Sequence, residues 1–107
     1  MRIVPALLAC LLLAGCSDEP SEAEMRSAVE AHTRRSLEAQ GRSFTRFDDF
    51  RKQGCVAAKS HADGFDCYYA ATLQPQPGQL TLTVNGKAWF ARTDRGMAFA
   101  DLGAQPK

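Results

Sequence analysis

Apolar residues recur along the chain with three different spacings. Residues 3–14 form a nearly unbroken apolar run. Residues 21–40 follow a helical period, which places Met25 and Val29 on one narrow stripe. In residues 80–84 apolar residues alternate with threonine, as they do in half-buried strands. The pattern predicts an N-terminal helix followed by strands.

Both ends of the predicted helix carry recognisable signals. Ser21 and Glu24 have the spacing of a capping box, in which each side chain bonds the backbone N–H of the other residue. Gly41 offers a left-handed position just after Gln40, the last predicted helical residue. Because the apolar stripe is thin, we expect this helix to cover a sheet rather than to form a core alone. His32 lies on the same stripe, where we expect a packed boundary residue rather than a ligand or base.

Three phenylalanines follow at a spacing of three residues. Phe44, Phe47 and Phe50 fit either a helical turn or an irregular entry into a strand, and the pattern leaves this open for residues 43–50. Each aromatic ring buries a large apolar area. We therefore predict that all three belong to the core.

Strand and turn signals fill the rest of the chain. Residues 50–73 predict a β-hairpin. Asn85-Gly86 is a strong signal for a second hairpin whose return strand covers residues 87–93, and a last strand covers residues 97–102. One helix before four or five antiparallel strands predicts an α+β fold, with the helix packed across one face of a two-layer meander. This element order resembles that of cystatin-like folds and of small two-layer envelope lipoproteins.

The N-terminal apolar run ends in the sequence Leu-Ala-Gly-Cys at residues 13–16. Residues 3–14 are too few to span a bilayer as a helix, which takes about 20 apolar residues, and Arg2 supplies the positive charge of a secretory signal. The four residues resemble the lipobox of bacterial lipoprotein signal peptides. The resemblance implies cleavage after residue 15, diacylglycerol on the Cys16 thiol and acylation of the new amino group. Two or more acyl chains anchor a protein stably to a membrane.

Cleavage after residue 15 leaves 92 of the 107 residues, which is enough for one domain. These residues carry twelve basic and twelve acidic side chains, and this balance argues against nucleic acid as a partner. We also expect no cofactor. The predicted organisation is a cleaved signal peptide (1–15), a lipidated tether (16–20), a single α+β domain (21–102) and a flexible tail (103–107).

Two cysteines remain once the signal peptide is removed and Cys16 carries lipid. Cys55 and Cys67 then form a single pair in an oxidising compartment, in which disulfides persist. We predict a bridge between them, with free thiols or an intermolecular bridge as the alternatives. The bridge sets a hairpin register that brings Ala57 opposite Phe65. A zinc site would need two further ligands at close spacing, so we predict no metal site.

One cluster of chemically reactive residues lies at the predicted hairpin tip. His61, Asp63 and Asp66 could supply a general base or ligands for a metal ion. An Asp-Gly turn at a solvated tip explains the same residues without chemistry, and we favour this interpretation. The sequence contains no nucleophile elbow, phosphate-binding glycine loop or pair of metal-spaced histidines. We therefore expect no catalytic residues, and a small hydrolase or metal-dependent enzyme at this hairpin is the less favoured alternative.

Aromatic residues on the predicted strands are candidates for a binding surface, because such side chains are enriched at recognition sites. Tyr68, Trp89 and Phe99 form this candidate set. The core competes for the same residues in a domain of this size. We expect Trp89 to lie in the core and Tyr68 to be the more exposed residue.

Together these features predict a lipid-anchored protein of a bacterial cell envelope that faces the periplasm. We expect a non-catalytic interaction or accessory module with a protein partner in the envelope. In the lipoproteins that the sequence resembles, an aspartate after the lipidated cysteine usually retains the protein in the inner membrane. Ser17 after Cys16 therefore favours the outer membrane. An inhibitor or immunity protein against a periplasmic enzyme is the alternative within the binding class.

Overall fold

The computed structural model describes residues 19–74, 78 and 80–106 of the chain. In this part, one helix precedes four strands of a single antiparallel sheet, which confirms the predicted α+β fold. The elements are α1 (Glu22–Ala39), β1 (Asp49–Ala57), β2 (Phe65–Leu73), β3 (Leu82–Thr93) and β4 (Gly96–Ala104). Strands that follow one another in the chain are also neighbours in the sheet, so the sheet is a meander.

The helix α1 is capped at both ends as the sequence predicts. The Ser21 hydroxyl accepts the Glu24 N–H at 3.1 Å, and the Glu24 carboxylate accepts the Ser21 N–H at 2.9 Å. At the other end, Gly41 has a φ of 77° and its N–H bonds a carbonyl of the last turn. The Arg42 N–H donates to the Leu37 carbonyl at 2.8 Å. These last two bonds form a Schellman motif, which satisfies carbonyl groups that the helix leaves unpaired.

The core lies between α1 and one face of the sheet. Met25 and Val29 are the buried apolar residues of the helix, as its thin stripe predicts. Phe44 packs at the margin of the core. The other buried members of the cluster come from the sheet and from the segment before it, and they are Phe47, Phe50, Cys67, Tyr69, Ala71, Ala88 and Phe90. All three predicted phenylalanines therefore contribute to the core or to its edge.

Residues 42–48 connect α1 to β1 without regular secondary structure. Two side chains of the helix hold Phe47 of this segment. A Glu30 carboxylate oxygen accepts the Phe47 N–H at 3.0 Å, and the Arg26 guanidinium donates to the Phe47 carbonyl. Arg26 and Glu30 also pair with each other at 3.0 Å. The three phenylalanines therefore lie on an irregular entry into a strand and not on a helical turn. This conformation is stable because side chains of α1 bond both backbone groups of Phe47.

Cys55 and Cys67 lie directly opposite each other on β1 and β2 and are joined by a disulfide bond. The same register pairs Ala57 with Phe65, as predicted. The bridge therefore links two neighbouring strands at a position where Cys67 is fully buried in the core.

The turn predicted at Asn85-Gly86 is wrong, because β3 runs through both residues without a break. They pair with Ala70 and Tyr69 of β2. Gly86 lies against the Tyr69 ring, and a Cβ atom at Gly86 would lie 2.3 Å from Tyr69 Cζ. The glycine is therefore required by the close approach of a ring and not by a turn. For this reason the two strands expected around Asn85-Gly86 form a single strand.

The last strand is longer than predicted, and part of the expected flexible tail is folded. β4 extends to Ala104, and the Gln105 N–H donates to the Asn85 carbonyl at 3.1 Å. The Gln105 side-chain amide donates to the Tyr69 carbonyl at 2.9 Å and to Gln53 Oε1 at 2.6 Å. These bonds extend the domain through Gln105.

The domain also begins before the predicted helix cap. Pro20 is fully buried, and Lys52 Nζ donates to its carbonyl at 2.7 Å and pairs with the Glu19 carboxylate at 2.6 Å. The Arg92 guanidinium donates to the Glu19 carbonyl at 3.2 Å. We refer to Glu19, Pro20, Lys52 and Arg92 as the N-terminal cluster. Residues 19 and 20, predicted as tether, are thus part of the folded body.

The predicted signal peptide and Cys16 lie outside the described residues. Within the residues that the structure describes, no helix combines the length and the apolar character that a membrane crossing requires. Lipid attachment at Cys16 stays a prediction from the sequence.

Loss of the disulfide should destabilise the domain. The bridge joins residues 12 positions apart, and closing a loop of this length stabilises by about 3 kcal/mol in the chain-entropy model. Reduction, or the substitution Cys55→Ser, should therefore lower the melting temperature by about 10 °C or more. Thermal unfolding followed by circular dichroism, with and without reductant, measures the change. An unchanged melting temperature after verified reduction would contradict a stabilising bridge.

Candidate binding groove and hairpin cluster

A groove opens between the C-terminal half of α1, the loop that follows it and the adjoining ends of β2 and β3. Its volume is about 620 Å³, which is a size typical of ligand sites in proteins. Its apolar wall consists of Val29, Leu37, Phe44, Leu73, Leu82 and Val84. The loop after the helix, residues 41–46, supplies most of the remaining lining.

Two residues of this wall are large apolar side chains of β3 that remain exposed. Leu82 is 49 % exposed and Val84 is 42 % exposed, although they alternate in step with the buried residues of the same strand. Thr33 and Leu37 of α1 line the groove on the helix side, but they do not fill the space in front of β3. Single exposed apolar residues are common on protein surfaces. Here two of them lie side by side in a groove that also has polar and basic lining, and this combination is typical of ligand and interaction sites.

The charge in the groove has one sign. Arg42 and Arg46 are the only charged residues among the described residues that line it. No described side chain forms a hydrogen bond or ion pair with either guanidinium. A third arginine, Arg34, lies 6.0 Å from the centroid of the Phe44 ring and donates to the Thr45 carbonyl at 2.7 Å. The groove therefore favours anionic groups.

Tyr69 lies where β2 meets the groove. Burial raises the pKa of its phenol to about 12, and the negative charge of Asp101 adds to this effect. The phenol is therefore neutral throughout the physiological pH range and adds no negative charge to the groove. Its ring stacks on Phe50, with ring centroids 5.2 Å apart, and covers Gly86.

The tip of the β1–β2 hairpin carries the cluster that the sequence singles out. The His61 ring stacks on Trp89 with centroids 4.0 Å apart. The Trp89 indole N–H donates to the Asp63 carbonyl at 2.8 Å, and the Ser60 hydroxyl lies 3.0 Å from His61 Nδ1. Trp89 is half-buried here and does not belong to the core, contrary to the prediction. It alternates with the core residues of β3, so its side chain lies on the face opposite α1, where the loop provides a partner for the indole N–H.

The structure does not bring His61, Asp63 and Asp66 together into one site. Asp66 is buried, and its Oδ2 accepts the Lys59 N–H at 3.2 Å, while Oδ1 has no partner among the described residues. In the described part of the chain, no group of three His, Cys, Asp or Glu residues is arranged to hold a metal ion. A separate pocket of about 390 Å³ beside Tyr68 includes Asp66 but neither of the other two residues.

The three aromatic candidates for a binding surface do not share a face of the sheet. Tyr68 and Trp89 lie on the face opposite α1. Phe99 pairs with Phe90 across β3 and β4 and contacts it with ring centroids 5.5 Å apart, so it packs against the core instead. The His32 ring packs against the Phe99 ring, with centroids 5.2 Å apart and planes tilted by 49°. It occupies the packed boundary position that the helical pattern predicts.

No local pattern in the sequence indicates the groove. The alternation in residues 80–84 does place Leu82 and Val84 on one face of a strand. The expected turn at Asn85-Gly86 would make residues 80–84 one strand of a hairpin with a buried apolar face. The exposure of Leu82 and Val84 is therefore not expected from the sequence. The groove arginines belong to no recognisable motif, and only the fold brings them beside β3.

A second set of charged contacts joins the start of α1 to β3. The Arg92 guanidinium donates to the two Glu24 carboxylate oxygens at 2.7 and 2.8 Å. These hydrogen bonds, followed by the one from the Ser21 N–H, lower the pKa of Glu24 to about 2. Both charged side chains are more than a third exposed. Solvent screens the pair, and its contribution to stability is at most about 1 kcal/mol.

Comparison with known proteins reveals no relationship. The chain matches no protein-family model, no curated protein and no solved structure significantly.

The depressed pKa of Glu24 makes part of the stability depend on pH. The folded protein keeps this carboxylate charged down to about pH 2, whereas the unfolded chain protonates it near its ordinary pKa of 4.5. The contribution of the Glu24 carboxylate to the free energy of unfolding is therefore present above about pH 4.5 and is lost as the pH falls towards about 2. We expect Glu24→Gln to lower the free energy of unfolding at neutral pH by up to about 1 kcal/mol and to weaken its decline in acid.

Urea unfolding at several pH values measures both effects of this substitution. Arg92→Gln is the matched variant, because it removes the other half of the pair and should weaken the acid dependence in the same way. If Glu24→Gln kept the acid profile of the unaltered protein, the assignment of this pH dependence to Glu24 would be refuted.

Proposed function

We propose that this protein is a lipid-anchored, non-catalytic interaction module of a bacterial cell envelope, which binds its partner in the groove beside Leu82 and Val84. The exposed apolar wall of the groove is the observation that carries this proposal. Covering apolar surface stabilises a complex by about 25 cal/mol for each Å² removed from water. A partner that fills the groove gains part of this energy, because Leu82 and Val84 of the wall remain exposed.

The location in the envelope is supported by two features of the cysteines. The lipobox-like sequence at residues 13–16 supports attachment through lipid on Cys16. The disulfide between Cys55 and Cys67 fits an oxidising compartment outside the cytoplasm. With Ser17 following Cys16, we place the protein at the periplasmic leaflet of the outer membrane.

The N-terminal cluster supports an anchor with a short reach. Glu19 lies three residues after Cys16 and is held by Lys52 and Arg92. Three extended residues span at most about 11 Å, so lipid on Cys16 would keep the folded body close to the bilayer. Leu37 in the groove wall lies on the order of 20 Å from the start of α1. The groove is thus remote from the attachment point and accessible to a partner.

An enzyme at the hairpin tip has less support. A general base works within hydrogen-bond reach of the group that it serves, and its own orientation is usually fixed by a further hydrogen bond. His61 instead stacks on Trp89, and no described carboxylate pairs with it. The Asp66 carboxylate serves the backbone of the hairpin by accepting the Lys59 N–H.

Substitution of the lipidated cysteine tests the anchor. Cys16→Ser removes the thiol that receives diacylglycerol, so we expect the protein to leave the membrane fraction. Cys10→Ser is the matched control, because it alters a cysteine that is removed with the signal peptide and should leave membrane association unchanged. Fractionation followed by mass spectrometry of the N-terminus measures both outcomes. Persistent membrane association of Cys16→Ser would contradict the lipid anchor.

A photo-crosslinking amino acid tests the groove in intact cells. Placed at Leu82, it should form a cross-link to a discrete envelope protein, because this position lies in the groove wall. The matched control is Val56, which is 58 % exposed but lies outside the groove. Gel mobility and mass spectrometry identify the products. Cross-linking from Val56 but not from Leu82 would place the interaction elsewhere on the molecule.

A further inference from the structure

β4 covers only part of the edge of β3 that faces away from β2. β4 pairs with β3 from Thr93 back to Gly86, and the Gln105 N–H adds one more bond to the Asn85 carbonyl. Among the described residues, residues 82–84 pair with β2 alone. The start of β3 thus has one paired edge and one edge that no described strand covers.

This uncovered edge presents the backbone of Thr83. In an antiparallel sheet, the N–H and C=O groups of successive residues point alternately to the two sides of a strand. The Asn85 carbonyl points towards β4, since it accepts from Gln105. β3 pairs with β2 in one continuous register, so the backbone groups of Thr83 point to the same side as those of Asn85. No described residue bonds to them there.

The side chains around Thr83 indicate what could pair with it. Leu82 and Val84 flank it and form part of the apolar wall of the groove. Arg42 and Arg46 line the same groove, with no acidic residue among the described lining residues. An exposed strand edge is a template for another strand, and pockets beside it select the alternate side chains of that strand.

We propose that the groove binds an extended, acidic peptide segment of a partner protein, which adds to the sheet as a strand beside Thr83. The inference rests on the proposed function, because it names the class of partner for the same groove. The peptide backbone exchanges hydrogen bonds with Thr83. Its alternate apolar side chains pack on Leu82 and Val84, and a carboxylate of the peptide binds Arg42 and Arg46 through charge-assisted hydrogen bonds.

Two other occupants satisfy fewer of these groups. A fatty acid matches the apolar wall and the arginines, but it leaves the backbone of Thr83 without a partner. A second copy of the chain could pair edge to edge, but it brings the same Arg42 and Arg46 and no acidic residue from the described groove lining. Like charges at an interface oppose association. Of the three occupants, only the acidic peptide can bond the Thr83 backbone, pack on the apolar wall and pair with Arg42 and Arg46.

The test titrates the full chain, purified from the producing cells, with synthetic peptides. The parent peptide alternates valine and threonine and ends in a pair of aspartates. One matched peptide replaces the aspartates by lysines, and another has N-methyl groups on alternate backbone nitrogens, so that it cannot donate to a sheet. We expect the parent peptide to bind and to shift the amide signal of Thr83 in NMR spectra. Each matched peptide should bind about tenfold more weakly or worse in calorimetric titration.

Variants of the protein test the same contacts from the other side. Thr83→Pro removes the N–H that points away from β2 without removing a bond to β2. It should weaken binding of the parent peptide about tenfold. The double variant Arg42→Gln and Arg46→Gln should also weaken binding of the parent peptide, and it should reduce the dependence of that binding on salt concentration. The control Arg35→Gln removes one positive charge from an exposed helix residue outside the groove, and it should leave the affinity within about twofold.

Circular dichroism and thermal unfolding establish that each variant is folded. If Thr83→Pro does not fold, the N-methylated peptide and the double arginine variant still test the proposal. Equal binding of the parent and N-methylated peptides would overturn strand addition. Tighter binding of palmitate than of any peptide would also overturn it, as would a dimer that Thr83→Pro dissociates.

Two outcomes separate this inference from the proposed function. If no peptide binds, but a cross-linker at Leu82 still captures an envelope protein, strand addition is refuted and the interaction module stands. If the peptide binds as expected while Cys16→Ser stays in the membrane fraction, the strand-addition site stands and the lipid anchor is refuted.

Discussion

In the described part of the chain, one helix covers only part of one face of the sheet, and most features of this domain follow from that constraint. α1 has 18 residues, and Met25 and Val29 are its buried apolar side chains. A helix of this length extends about 27 Å, but its narrow stripe contributes few side chains to the core, which Phe50, Tyr69 and Phe90 of the sheet complete. α1 lines one side of the groove without covering Leu82 and Val84. It also leaves the opposite face of the sheet, with Tyr68 and Trp89, uncovered.

Polar and covalent contacts support this small core. Arg26 and Glu30 satisfy both backbone groups of Phe47 and thereby keep an aromatic ring in place without secondary structure around it. The disulfide restricts the unfolded chain across the first hairpin. The N-terminal cluster holds the first described residues against two different strands. Small domains commonly need such additions, because they bury less of their surface than larger ones do.

Features that depend on neighbouring residues can be predicted from the sequence, and features that depend on distant pairs cannot. The caps of α1 are determined within a turn of each end, and the bridged cysteines lie on the two strands of one hairpin, 12 residues apart. Asn85-Gly86 misleads because the role of Gly86 is set by Tyr69, which meets it only across the sheet. The groove follows the same rule. Arg42 and Leu82 lie on separate segments, and no local pattern shows that they line one surface.

The contact between Trp89 and His61 determines what the intrinsic fluorescence of this protein reports. Trp89 is its sole tryptophan, and its indole is bound to the loop at the hairpin tip and not to the core. Emission therefore follows the attachment of residues 58–64 to the sheet, whereas circular dichroism follows the backbone as a whole. Because protein segments can open locally at lower free energy than the entire fold, comparison of the two signals distinguishes fraying of this hairpin from global unfolding.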